Sequence, residues 1–171
     1  MNFTFVLIFC LVMSIILVVS FFARKQVVSD ETNIYSKLLV INMIGIILEL
    51  SFTFFKAFDF GNDLKRILMD AYFIYLLGFI SLIGVYIFKI CFHDKSDKFH
   101  SIIRYIILGL FLIFCVITCV LPIQIFDGYS IGPAANAVYA YSFAFFLASG
   151  IAFFMNIGTV NYTKMLPMFI L

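Results

Sequence analysis

The sequence predicts an all-α membrane protein: an antiparallel bundle of five transmembrane helices plus the start of a sixth, with the N-terminus outside. Three observations carry that expectation. Five apolar runs, at about 3–22, 34–55, 67–92, 102–121 and 134–154, each reach twenty residues or more, the length a helix needs to cross about 30 Å of hydrocarbon. The connections between them are only about 9 to 12 residues long, which favours antiparallel neighbours and leaves no room for an extramembrane domain. Finally, basic residues fall unevenly. Placing the N-terminus outside puts eight of the 11 Lys and Arg in the cytoplasm and three outside, and the reverse orientation inverts that count.

Composition agrees. The chain is 65% hydrophobic and 12% charged, with a mean hydropathy of +1.17, whereas about a quarter of the residues in a soluble domain are charged. One integral membrane domain over 1–171 is expected, in the cell membrane and surrounded by lipid. The 24 Phe, with no Trp, read as lipid-facing bulk.

The first run lacks a basic leading segment and a small-residue cleavage site before Arg24, so it is expected to be a retained span and not a signal peptide. Asp30, Glu31 and Thr32 can cap the second span, and Asn62 or Asp63 a turn into the third. The fourth span should end at Leu121, because Pro122 follows and pushes its predecessor out of helical geometry. From Pro122 to Pro133 a mixed outer loop is expected, with a turn over Asp127, Gly128, Tyr129 and Ser130, and Gly132 with Pro133 opens the fifth span. The sixth run opens near Met165 and has seven residues by Leu171, so the chain reads as the front part of a longer protein.

Polar residues inside the spans are the candidates for function, because an ionisable group at that depth demands a partner or water. Glu49 leads. Asn42, Gly45 and Glu49 recur at helical spacing, continued by Thr53 and Lys56, so this face should point into the bundle. Glu49 reads either as a sensing or proton-responsive carboxyl or as a structural clamp, including a pair with Lys56. Asp70, early in the third span, would lie on the same outer side and could share a cation or proton site with Glu49, or simply complement a helix N-terminus. Asn136 and Tyr139 could line an outward-facing pocket with the Asp127 loop. Gly78, Ser81 and Gly84 form a stripe suited to close helix contact.

Other features point away from chemistry. Cys10, Cys91, Cys115 and Cys119 all lie in or at the ends of apolar runs and read as packing residues, not as disulfides or zinc ligands. His93 to His100 reads as a solvated charged turn. No Gly-rich phosphate loop, zincin motif or nucleophile elbow is present. No catalytic residue, metal, cofactor or nucleic-acid partner is therefore expected.

Three patches carry a family resemblance: Ile34-Tyr35-Ser36-Lys37 leading through Asn42 and Gly45 to Glu49, the stretch Tyr129 to Tyr139, and Lys164-Met165-Leu166-Pro167. In these the chain resembles the N-terminal membrane module of bacterial multi-span sensor histidine kinases. The resemblance implies about seven spans, a cytoplasmic dimerisation and phosphoacceptor region and a C-terminal ATP-binding domain, hence a homodimer formed through an output domain beyond this chain. None of those catalytic parts occurs here. The expectation is a sensory input module of a two-component system. A membrane module of a diguanylate cyclase, a fragment of a small ion-coupled transporter, and a purely structural partner subunit are the alternatives.

Overall fold

In the computed structural model the described residues are 3–23, 30–57, 62–93, 95–126 and 129–156. They form five long helices, α1 (Phe3–Ala23), α2 (Asp30–Ala57), α3 (Asn62–Cys91), α4 (Asp97–Val120) and α5 (Pro133–Met155), with a hairpin of β1 (Gln124–Phe126) and β2 (Tyr129–Ile131) between α4 and α5. All five helices are long and apolar enough to cross a membrane. Their outward faces are built from large apolar side chains, among them Phe9, Ile16, Val116, Phe146 and Phe154. A surface of that kind suits lipid, since soluble monomers rarely expose large contiguous apolar patches.

Three helices begin earlier than the apolar runs suggest. Asp30 to Asn33, Asn62 to Arg66 and Asp97 to Ser101 are all helical. At 1.5 Å per residue the 28 residues of α2 and the 30 of α3 rise about 42 and 45 Å, well beyond about 30 Å of hydrocarbon. The extra turns are polar, as turns that extend beyond a hydrocarbon core of that thickness need to be. Helix α4 ends at Val120 with an extended Leu121 (φ −73°, ψ 146°), as the following proline requires.

The expected turn before α5 is replaced in part by paired strands. Tyr129 and Ser130 belong to β2, with Gln124 opposite Ile131, Ile125 opposite Ser130 and Phe126 opposite Tyr129. Asp127 and Gly128 lie outside the described residues, as do Lys164 and the expected sixth span. Gly132 leaves the hairpin at φ 128°, a conformation side-chain-bearing residues rarely adopt. It hands the chain to Pro133, whose fixed φ suits the first helical position.

Contacts give the direction of each helix. Phe21 at the end of α1 meets Tyr35 at the start of α2, with ring centroids 5.1 Å apart, and Tyr35 meets Tyr86 near the end of α3 at 6.5 Å. These pairs make α1–α2 and α2–α3 antiparallel. A Cβ on Gly84 would lie 3.9 Å from Ile107, and one on Gly78 would lie 3.6 Å from Phe111, so α3 and α4 are antiparallel too. Helix α5 runs parallel to α3, with Tyr141 against Ser81 and Phe145 against Gly84.

Helix α3 is the hub, packing against α2, α4 and α5, whereas α1 packs chiefly on α2. Accordingly a third of the apolar window of α3 is buried, against 11% for α1 and α4. The main core joins Met69, Phe73 and Leu77 of α3 to Ile107 and to Ala134, Ala135, Val138, Tyr141 and Phe145 of α5. The small stripe on α3 serves this packing. A Cβ on Gly84 would come within 2.7 Å of the Phe145 ring, so only a glycine lets α5 approach so closely.

Among the cysteines, Cys91 is buried, Cys115 is half-buried, and Cys10 and Cys119 face outward. The His93–His100 segment is shorter as a loop than the sequence suggests, since Asp97 to His100 already form the first turn of α4.

Candidate functional site

Glu49 lies on the half-buried face of α2, where the sequence spacing puts it. Its carboxylate is within electrostatic reach of the Tyr72 and Tyr75 hydroxyls on α3, and Tyr72 is in turn within reach of Tyr139 on α5. Residues of three helices are therefore within electrostatic reach of one another, and the Tyr72 and Tyr75 ring centroids stand 5.8 Å apart. In a low-dielectric setting such interactions are stronger than in water. A carboxylate accepts hydrogen bonds and a phenol both donates and accepts, so these groups are chemically able to bond to one another.

The stripe on α2 divides between two neighbours. Asn42 turns to α1, where its Nδ2 donates to the Ser14 Oγ at 3.4 Å. Gly45 is buried and carries the phenol end of Tyr75 directly on its Cα. Thr53 does not extend the cluster, because its hydroxyl donates to the carbonyl of Glu49 at 2.9 Å. The side chain of Lys56 lies outside the described residues, and so does the pairing expected of it with Glu49.

Asp70 is half-buried and stands within electrostatic reach of Arg66, one turn earlier on the same helix. At about 100° per residue it points about 160° away from Tyr72 and about 140° away from Tyr75. It thus faces a different side of α3 from the two tyrosines that meet Glu49. Asn136 is exposed and lies on the side of α5 opposite Ala134, Val138 and Tyr141, which are buried. Its backbone N–H donates to the Gly132 carbonyl at 3.0 Å and so closes the first turn of the helix. Tyr139 is 64% exposed and within electrostatic reach of Tyr72. Glu49 and Tyr139 are thus each within electrostatic reach of Tyr72, while Asn42, Asp70 and Asn136 have other neighbours. Among the described residues no group of three or more His, Cys, Asp or Glu side chains converges.

Tyr72 and Tyr75 are absent from the sequence-based candidates. Their spacing of three puts both on one helix face, and a hydroxyl in an apolar span needs a partner. Hydropathy hides them, because tyrosine counts as an ordinary aromatic in a run rich in Phe and Tyr. Ser81 also does more than leave room. Its hydroxyl donates to the Leu77 carbonyl at 2.6 Å and lies 2.6 Å from the Tyr141 hydroxyl, both buried. No protein-family model, curated protein or solved structure matches the chain.

Proposed function

We propose that this chain is the membrane-embedded input module of a two-component sensor histidine kinase, oriented with its N-terminus outside and passing its signal to a cytoplasmic output domain. The carrying observation is the Glu49–Tyr72–Tyr75 cluster, in which a carboxylate sits beside the joint where Tyr75 rests on Gly45. A signal that changes the partners of Glu49 changes where the Tyr75 ring lies, and with it the fit of α2 on α3. Such a rearrangement can bias a two-state bundle without any soluble sensor domain.

The resemblance of the Ile34–Glu49, Tyr129–Tyr139 and Lys164–Pro167 patches supports the kinase assignment, and the distribution of Lys and Arg supports the orientation. An ion-coupled site shared by Glu49 and Asp70 fits less well, since Asp70 faces away from the tyrosines that meet Glu49. The described helices also carry no proline in their interiors, whereas transporter sites commonly use broken helices.

The test is phosphorylation, in isolated membranes, of the gene product that bears this module. Replacing Glu49 by Gln is expected to shift its level by about fivefold or more at unchanged protein abundance, within the usual range of coupling between sites. Unchanged phosphorylation, or ion flux in proteoliposomes without any phosphorylated product, overturns the reading.

A further inference from the structure

Lys37, Lys89 and Arg104 are far apart in sequence, but the antiparallel packing of α2, α3 and α4 brings them to one end of one cleft. The cleft has a volume of about 490 Å³ and runs along α3 where α2 and α4 both pack on it without closing over it. It extends from Gly78 to Lys89 on α3, a rise of about 16 Å, or about half of a 30 Å hydrocarbon core. Its depth therefore corresponds to one leaflet.

The two ends of the cleft differ in chemistry. Ile41, Leu82, Val85, Leu108 and Phe111 line the deep part, and the three cations line the shallow part. A smaller hollow of about 200 Å³ adjoins it, sharing Ile34, Val85, Lys89 and Arg104 and adding Asp97 and His100. Asp97 brings one negative charge to this smaller hollow. The side chains of Asp30 and Glu31, in the first turn of α2, lie outside the described residues. The Arg104 guanidinium stands 5.8 Å from the Tyr105 ring centroid, a contact that holds the charge near the rim.

We propose that this cleft binds one anionic phospholipid, with an acyl chain along Leu82, Val85 and Phe111 and its phosphate among Lys37, Lys89 and Arg104. The shape and the charge require an occupant that is apolar for the depth of a leaflet and anionic at the headgroup level. A membrane phospholipid meets both conditions, and basic pockets between transmembrane helices are known to select anionic headgroups. The inference does not depend on the signalling role. Under the N-out orientation the lipid comes from the cytoplasmic leaflet.

The chain has no Trp, so Leu108→Trp places a single fluorophore in the cleft and Ile106→Trp a control at similar depth on the opposite side of α4, about 160° round the helix, where Ile106 is 56% exposed. The full chain is reconstituted into phosphatidylcholine vesicles containing a minor fraction of phosphatidylglycerol, with one or the other lipid brominated. Brominated phosphatidylglycerol is expected to quench Leu108→Trp with a preference of at least about fivefold over its bulk share, the effect of a single interfacial cation. The Ile106→Trp control should follow bulk composition. Joint replacement Lys37→Gln, Lys89→Gln and Arg104→Gln should abolish the preference, and the charge-conserving set Lys37→Arg, Lys89→Arg and Arg104→Lys should retain it. Quenching in proportion to bulk composition would overturn the proposal, as would a preference that survives the glutamine set. Protection of Leu108→Trp from both lipids would overturn it as well, because protein would then fill the cleft.

Discussion

The Ser81–Tyr141 pair makes an asymmetric prediction about the α3–α5 interface. Ser81 has one proton, and its hydroxyl donates it to the Leu77 carbonyl at 2.6 Å. The bond of 2.6 Å between Ser81 and Tyr141 must then have Tyr141 as donor and Ser81 as acceptor. Replacing Tyr141 by Phe removes the donor but leaves Ser81 bonded to Leu77, so the cost should be that of one interhelical hydrogen bond in a membrane, about 0.6 kcal/mol and at most about 1.7. Replacing Ser81 by Ala instead leaves the Tyr141 hydroxyl, in a residue only 2% exposed, without its acceptor. Cys115 is within electrostatic reach, but sulfur is a weak acceptor. An orphaned buried donor costs about 1–3 kcal/mol, so Ser81→Ala should be the more damaging change. The double variant should cost less than the sum of the two, because Tyr141→Phe removes the orphan that Ser81→Ala creates. Reversible unfolding in mixed micelles, or steric trapping in bicelles, measures all three. A Tyr141→Phe cost equal to or larger than that of Ser81→Ala would refute the assigned proton direction.

Further expectations follow from particular positions. Gly45→Ala should destabilise α2–α3 packing by about 1–3 kcal/mol, the usual cost of overpacking, because the added methyl meets the Tyr75 phenol; Gly109→Ala, with nothing within 4 Å of its Cβ, should be neutral or stabilising by up to about 1 kcal/mol. Loss of Gly45→Ala stability no greater than that of Gly109→Ala in the same unfolding assay would contradict the close contact. At the entry to α5, Gly132→Ala should cost about 1–3 kcal/mol, since φ 128° strains any residue with a side chain, and a thermal melt unchanged by this substitution would count against that backbone geometry. For orientation, in a background lacking the four native cysteines, a membrane-impermeant maleimide should label Ser130→Cys in intact cells and Ser96→Cys only after permeabilisation. The opposite pattern would place the N-terminus inside.

How much could be read from residues alone differs from element to element. The five spans are legible because a run of twenty apolar residues has few other stable settings than a membrane. The end of α4 at Pro122 and the start of α5 at Gly132–Pro133 are legible because proline and glycine act on their immediate neighbours. The helical turns at Asp30, Asn62 and Asp97 are not, because polar residues outside the hydrocarbon look alike in a helix and in a loop. The hairpin around Tyr129 is also hidden, since its strands are three residues long, too short for alternation to register. In the candidate site, Glu49 stands out by its charge. Tyr72 and Tyr75 do not, because their importance lies in which helix they face.

The sequence by itself determined that the chain is built of long apolar helices joined by short connections, because length against bilayer thickness and residue-by-residue transfer energy are local properties. Only the tertiary structure decided that α3 is the hub, that Glu49 lies within electrostatic reach of two tyrosines while Asp70 turns away, and that Lys37, Lys89 and Arg104 share the rim of one cleft. Lipid solvates an apolar helix equally on every side, so hydropathy carries little information about which face meets protein. That choice is made by packing shape and by the few polar groups that must find partners, and both depend on where the other helices stand.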